Sequence, residues 1–458
     1  MPRLFQFGCD KSIMGDYMTL STQPYKGARD FYPEDKRIQN YLFKQLRTVA
    51  ERYGYEETDA PILEPLDLYL SKTSEEIVNE QTYSFTDRGG RQVTLRPEWT
   101  PTISRMVAAR RQELAYPLRL YAIPNVWRYE RPQRGRLREH WQFNVDIFGV
   151  DNLSAEHEII MLADNVLQSF GAKRKMYVIK LNSRQLVNQI LTVEAGLDAT
   201  QSQMVVRLID RMHKMERAVF LGQLEALLNP SQREAKAAQR IMAFLEAGSL
   251  DQLPQTSGTA PHISRLRRLL ELLRTSGVEN AVFDATLMRG FDYYTDIVFE
   301  VFDLNPENNR SMFGGGRYDG LVGLFGVEPL PTAGFGMGDV TLRNFLEGHG
   351  LLPAQRPETD LYVVLIGDVY QASQPALQEL RNMGVSLAVD GTGRKPEKQL
   401  KAAIKKGIKH VLFIGESELS SKQFMLKDLQ TGEEGRHSLQ RIVSIVSRRP
   451  DDDELLDD

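Results

Sequence analysis

The stretch that most restricts what this chain can become runs from Asn125 to Val150, NVWRYERPQRGRLREHWQFNVDIFGV. Two alternating segments flank a polar loop of Pro, Gln, Arg and Gly, a pattern that predicts an antiparallel hairpin. Period two puts Val126, Arg128 and Glu130 on one face of the first strand. On the returning strand it sets Trp141, Phe143, Val145 and Ile147 against Gln142, Asn144 and Asp146. A sheet that buries the first set leaves the second as a polar floor. The loop adds Arg131, Arg134, Arg136 and Arg138, which with Arg128 makes five arginines in eleven residues. By itself this is the pattern of a solvated hairpin with a charged tip. As a floor, it suits a substrate carrying phosphates and an amine.

With 458 residues the chain has room for two or three domains and a large core. Its 41% hydrophobic and 26% charged content are those of a globular protein. A net charge of −4 gives no global attraction to nucleic acid, so any such binding relies on local basic patches. One cysteine, Cys9, excludes an internal disulfide framework and fits a reducing, cytoplasmic setting. The seven histidines show no ligand spacing, so no zinc site is expected. No apolar run approaches the ~20 residues that span a bilayer. Residues 1–24 lack the apolar segment of an export signal and read as a flexible extension.

A helix opens at Pro33, and TDAPIL (58–63) reads as an edge strand interrupted by Pro61. In YSFTDRGGRQVTLRPEWT (83–100), Gly89-Gly90 turns a second hairpin. Glu98 has the chemistry to pair with an α-ammonium group, with the Thr100 hydroxyl beside it; the two residues also read as a helix cap with Pro97. A helix over 155–170 and a strand over 176–181 follow, then a helical stretch over about 185–275. LMRGFDYYTDIVFEVF (287–302) runs into a strand, in which Tyr293 and Tyr294 are expected to point opposite ways. FGGGRYDGL (313–321) allows close backbone approach and carries a fixed charge, Arg317. Beyond a Pro-bearing linker at 353–357, strand and helix patterns alternate as βαβαβ. There Arg394, Lys395, Lys398, Lys401, Lys405, Lys406 and Lys409 form a basic patch able to hold phosphates. An acidic tail, 447–458, ends the chain.

The wording of the hairpin, Trp-Arg-Tyr-Glu-Arg-Pro-Gln followed by a basic loop, resembles motif 2 of class II aminoacyl-tRNA synthetases in its histidyl form. Arg-Pro-Glu-x-Thr at 96–100, Arg-Gly-Phe-Asp-Tyr-Tyr-Thr at 289–295 and FGGGRYDGL are similar to peptides of histidyl-tRNA synthetases. Pro33 onward looks like motif 1, and AGFGMGDVTLRNF (333–345) has the glycines of motif 3. The resemblance implies an α+β fold: an antiparallel sheet flanked by helices over 25–352, a helical insertion within it, and an α/β anticodon-binding domain over 358–446. It implies ATP-dependent ligation of L-histidine to its tRNA through an adenylate, with Mg²⁺ and a homodimer. Catalytic roles fall on Arg128 and Arg289, and the histidine site on Glu98, Trp99, Thr100, Gln142, Asp146, Tyr293 and Tyr294. ATP would meet Arg128, Glu130, Arg136, Arg289, Gly336 and Gly338, and the tRNA acceptor end Arg131, Gln133 and Arg136. Several positions depart from the family: Trp99 stands where a smaller or flexible residue is usual, and Val340 at the Glu position of motif 3. Asp146 stands where a Glu is usual, and Thr341 where motif 3 carries an arginine for the γ-phosphate. Arg343, about 200° further round a helix, is no simple replacement. The rival implied by the same core is a non-catalytic histidine-sensing regulatory paralogue.

Overall fold

The computed structural model describes residues 20–70, 81–288, 293–308 and 310–447. Their contacts divide the chain into two compact units, Met1–Leu352 and Pro353–Asp458.

The first unit is organised by the strand Glu139–Phe148, whose alternation behaves as the sequence requires from Gln142 onward, whereas Trp141, expected in the core, is only partly buried and packs on Phe31 and Phe43. Phe143, Val145 and Ile147 are buried in the main core, and Gln142 and Asn144 turn the other way. That core is closed by two helices. Pro33–Arg52 starts with Pro33 and acidic Glu34 and Asp35 in its first turn, which suits the positive end of a helix, and buries Leu42, Leu46 and Val49. Ser154–Ser169 buries Ile159, Ile160, Ala163 and Val166. Around the central strand, antiparallel pairing runs outward to Leu118–Ala122 on one side. On the other side it runs through Thr332–Gly338, Ser311–Arg317, Ile297–Asp303 and Tyr177–Ser183. The short strands Glu56–Glu57 and Ala281–Phe283 close the two edges in parallel pairing. A series of helices between Arg184 and Thr275 forms the insertion, with Leu208, Phe220, Leu224, Ile241 and Leu266 in the same core.

Three further expectations are corrected here. TDAPIL is not one strand: the paired residues are Glu56–Glu57 before it and Leu63–Pro65 at its end, because Pro61 has no N–H to continue a ladder. The first hairpin strand is only Asn125–Trp127. Beyond it the returning strand finds another partner, since Gly27 O accepts from Arg138 N at 2.9 Å and from Glu139 N at 3.2 Å. Arg317 is no ligand-facing charge. It is buried, with its guanidinium forked onto Glu156 at 2.7 and 2.8 Å and onto the carbonyls of Val150 and Asn152.

The second unit has five strands in the order Leu387–Val389, Leu361–Leu365, His410–Ile414, Phe424–Asp428, Glu434–His437. The first three are parallel, as the βαβαβ pattern requires, and the last two add antiparallel pairs that the pattern missed. Of the basic patch, Arg394 is tied to Asp390 and Lys409 to Asp428, while Lys395, Lys398, Lys401 and Lys405 are exposed. The sequence extension and tail fall mainly on residues outside those described. Among the described residues no helix is long and apolar enough to cross a membrane.

Replacing Arg317 by Ala strands the buried Glu156 carboxylate with only the half-exposed Arg265 beside it. The expected loss is about 3–5 kcal/mol, read as a lower urea midpoint of the first unit by tryptophan fluorescence; an unchanged midpoint contradicts the structural role.

Candidate active site

The floor of the site is made by two strands whose side chains are complementary in size. In the register of Glu139–Phe148 with Thr332–Gly338, Asp146 pairs with Gly334, Asn144 with Gly336 and Gln142 with Gly338. A Cβ at Gly334 would lie 2.3 Å from Asp146 Oδ1, and one at Gly336 would lie 2.4 Å from Gln142 Nε2. The glycines are there because the polar side chains lie flat across them. Above this floor is a cavity of about 300 Å³. Glu98, Tyr293 and Tyr294 line one wall, and Arg128, Glu130 and Arg136 another.

The wall near Glu98 is a chain of phenols and carboxylates. Tyr293 Oη donates to Glu98 Oε2 at 3.2 Å, and both groups are buried. The rings of Tyr293 and Tyr294 are 5.0 Å apart and those of Tyr293 and Tyr318 5.5 Å, so both neighbours of the pair face one cavity. That overturns the expectation of opposite directions, since the pair precedes the strand Ile297–Asp303 and is not subject to its alternation. Tyr318 Oη donates to Asp146, whose other carboxyl oxygen has no hydrogen-bond partner. Burial pushes the Asp146 carboxyl up to about 7, against the downward pull of that one phenol. Asp146 itself does not line the cavity; Tyr318 stands at the lining in front of it.

The arginine wall is geared to the loop. Arg128 Nε donates to Pro97 O at 2.8 Å, leaving its Nη1 4.0 Å from Glu130. Arg136 Nη1 is 3.5 Å from the other Glu130 oxygen. Mutual N–H to carbonyl bonds between Gln133 and Arg136 close the loop tip. Its base is fixed by Arg138, which donates to Glu130 O at 3.1 Å and to Tyr25 Oη at 3.0 Å and lies 4.0 Å over the Tyr129 ring.

The structure thus gathers Glu98, Thr100, Gln142, Tyr293, Tyr294, Arg128, Glu130, Arg136, Gly336 and Gly338 at one cavity. Trp99 is the correction. Its indole is 1% exposed and packs with Ile103, Val107 and Phe148 on the far side of the chain from its neighbours, since adjacent residues entering the helix Thr100–Ala109 cannot share a direction. Glu98 and Thr100 do not cap that helix, whose N-cap is Trp99 with no side-chain bond. Arg131 is exposed and lines neither cavity, whereas Gln133 lines a second, adjoining cavity of about 750 Å³ with Arg136, Lys214 and Arg310. Arg289 lies outside the described residues. Tyr318, His140, Asn144 and Glu300 line the cavity without having been assigned to it from the sequence. Tyr318 follows Arg317 in a peptide read for its glycines and for that arginine. His140 continues the Gln142, Asn144, Asp146 alternation one step back, a signal present in the sequence. Burial, with Arg128 and Arg29 nearby, pushes the His140 imidazole down to about 3, so it is neutral, and its Nδ1 is buried without a hydrogen-bond partner. Among the described residues no cluster of three His, Cys, Asp or Glu side chains forms a metal cage.

An antiparallel sheet of this size with a polar strand crossed by a glycine strand, entered by an arginine-bearing hairpin loop, is the catalytic body of a class II aminoacyl-tRNA synthetase. The sequence model of histidyl-tRNA synthetase matches residues 27–340, and that of an anticodon binding domain matches residues 360–449. A histidine–tRNA ligase of Leptospira biflexa is 42% identical over 414 residues, 90% of this chain and 94% of its own. That of Thermoplasma volcanium is 37% identical over 430 residues, 94% of this chain and 99% of its own. The crystal structure of histidyl-tRNA synthetase from Nostoc sp. PCC 7120 shares the fold with a TM-score of 0.77 at 24% identity, covering 94% of this chain and all of that one. The chain belongs to the histidyl-tRNA synthetase family.

The Asp146 carboxyl keeps its proton to about pH 7 in the folded chain, against an ordinary value of 3.8. The folded state therefore binds the extra proton, and stability contributed below pH 4 is lost as pH rises through 7. Asp146→Asn does not titrate. Its Tm relative to the parent chain should rise between pH 4 and 7 and level off above; a pH-independent difference contradicts the burial.

Proposed function

We propose that this enzyme joins L-histidine to its tRNA in two steps at the first cavity, with ATP as the energy source. The single observation that carries the reading is that a carboxylate–phenol wall and an arginine wall face one small cavity, in a chain matched by histidine–tRNA ligases over nine-tenths of its length.

In the first step a carboxylate oxygen of histidine attacks the α-phosphorus of ATP in line. The bond to the β-phosphate oxygen breaks, and pyrophosphate leaves. Negative charge grows on the α-phosphoryl oxygens, so cations fixed before the reaction lower the barrier most. Arg128 is held in place by the Pro97 carbonyl rather than neutralised by a close carboxylate, which suits it to that role. Arg289 is assigned the same role on the family motif. Glu98 takes the α-ammonium group, with Thr100 beside it. The imidazole, neutral with one donor and one acceptor, meets the phenols of Tyr294 and Tyr318 with Asp146 behind them, and Gln142 completes the pocket. Gly336 and Gly338 let the nucleotide approach the backbone, with Glu130 and Arg136 at its edge. Mg²⁺ normally arrives with the phosphates and needs only one or two carboxylates; Glu130 and Glu300 are the cavity groups that fit it, and it neutralises charge on the β and γ phosphates when bound.

In the second step the ribose hydroxyl of the terminal tRNA adenosine attacks the adenylate carbonyl, and AMP leaves. Gln133 and Arg136 line the adjoining cavity, and with Arg131 on the exposed loop they take the acceptor end in this reading. The exposed lysines of Pro396–Lys405 offer the anticodon arm a phosphate-binding face. Assembly as a homodimer in the cytoplasm rests on the family resemblance. The regulatory histidine sensor is not favoured, since an anticodon binding domain matches residues 360–449 and the ligase relatives span nine-tenths of this chain.

Histidine-dependent ATP–pyrophosphate exchange tests the reaction; a purified chain that shows none sinks it. Arg128→Ala and Arg289→Ala should each lower kcat for exchange by a factor on the order of 10² while sparing histidine affinity, and near-parental rates would remove them from the mechanism. Tyr294→Phe should weaken histidine binding by about 1–3 kcal/mol through a polar group left unpaired; calorimetry giving an unchanged Kd contradicts its placement.

A further inference from the structure

An arginine at position 341 would reach a phosphate from the helix Asp339–Gly348, but this chain has a threonine. Its hydroxyl is already used, donating within reach of Met312 O at 2.8 Å and Gly338 O at 3.0 Å. Nearby cations on this helix and beneath it are engaged elsewhere. Arg343 is held by Asp35 at 3.1 Å and Glu347 at 2.7 Å. Arg29 is held by Asp339 at 2.8 Å.

Arg310 is different. It is exposed, it has no carboxylate partner among the described residues, and its guanidinium donates to a neutral group, the carbonyl of Arg134, at 3.3 Å. Three contacts bring it to the corner where Thr341 sits. Arg134 adjoins Gly135, at which a Cβ would lie 3.7 Å from Thr341 Cγ2. Met312, which accepts the Thr341 hydroxyl, is two residues along from Arg310 on the same strand entry. Arg310 and Thr341 also line the same second cavity, and Ser311, Met312, Gly135, Arg136 and Thr341 line both cavities, so this corner is their junction. Arg136, linked to Arg128 through Glu130, lines both cavities, so the junction adjoins the wall where Arg128 would meet an α-phosphate.

We propose that Arg310 grips the terminal phosphate of ATP in this chain, supplying from the neighbouring strand the cation that position 341 lacks. A guanidinium resting on a carbonyl is charged, uncompensated and free to swing, and its fork of N–H donors matches phosphate oxygens. The assignment rests on the ATP-dependent reaction proposed above.

The test compares Arg310→Ala, Arg310→Lys and the double variant Arg310→Ala/Thr341→Arg with the parent chain. Arg310→Ala should raise KM for ATP in exchange by about tenfold or more, the loss of one charge-assisted contact, with KM for histidine and Tm unmoved. Calorimetry should show ATP affinity falling by a similar factor while AMP affinity stays level. Arg310→Lys should recover part of the loss, and Thr341→Arg should restore ATP affinity in the alanine background. Unchanged ATP affinity in Arg310→Ala overturns the proposal while leaving the synthetase reading intact, as does an equal loss for AMP and ATP. A parent chain without histidine-dependent exchange removes the reading and the proposal together.

Discussion

The site depends on the close approach of two neighbouring strands of unlike composition. Gln142, Asn144 and Asp146 pair with Gly338, Gly336 and Gly334, and side-chain atoms stand where a Cβ at Gly334 or Gly336 would otherwise lie. A side chain at Gly334 or Gly336 would push the polar groups upward into the cavity or force the strands apart. The opposite face of the same polar strand buries Phe143, Val145 and Ile147. A shift of one residue in register would therefore exchange core and floor outright. Packing energy on one face fixes polar chemistry on the other.

That arrangement also explains the uneven electrostatics. The Glu98 wall is phenolic and closely packed, and burial pushes Asp146 up toward neutrality, while burial beside Arg128 and Arg29 holds His140 uncharged. The opposite wall is guanidinium, placed where burial is least. Neighbouring arginines differ in what they hold. Arg317 and Arg138 are structural, one forked onto a buried carboxylate and one stacked beneath the loop. Arg128 and Arg136 keep weaker partners and face the cavity.

The hairpin loop is also held from outside. Gly27, with φ of +86°, approaches so near that a Cβ would lie 2.7 Å from Arg138 Cγ, and its carbonyl takes the two amides that the shortened first strand leaves. The same segment places Arg29 on Asp339, whose other oxygen accepts from Trp141 N at 2.9 Å. A few residues before the first helix thus connect the loop, the polar strand and the helix after the glycine strand.

Much of this was legible in the residues alone. Period two over residues 142–148 determined which side chains would be core and which floor, because alternation along a strand is local geometry. The Gly89-Gly90 turn, the helix from Pro33 and the parallel C-terminal strands follow from equally local rules. What the tertiary structure decided is where residues distant in sequence meet. No periodicity tells that Arg317 would be consumed by Glu156, that Trp99 would turn into a core, or that Tyr293 and Tyr294 would face one cavity from a segment ahead of their strand. Nor does it tell that Tyr318 would stand between Asp146 and the cavity. Those outcomes depend on burial and on competition for partners, and both exist only once the chain has folded.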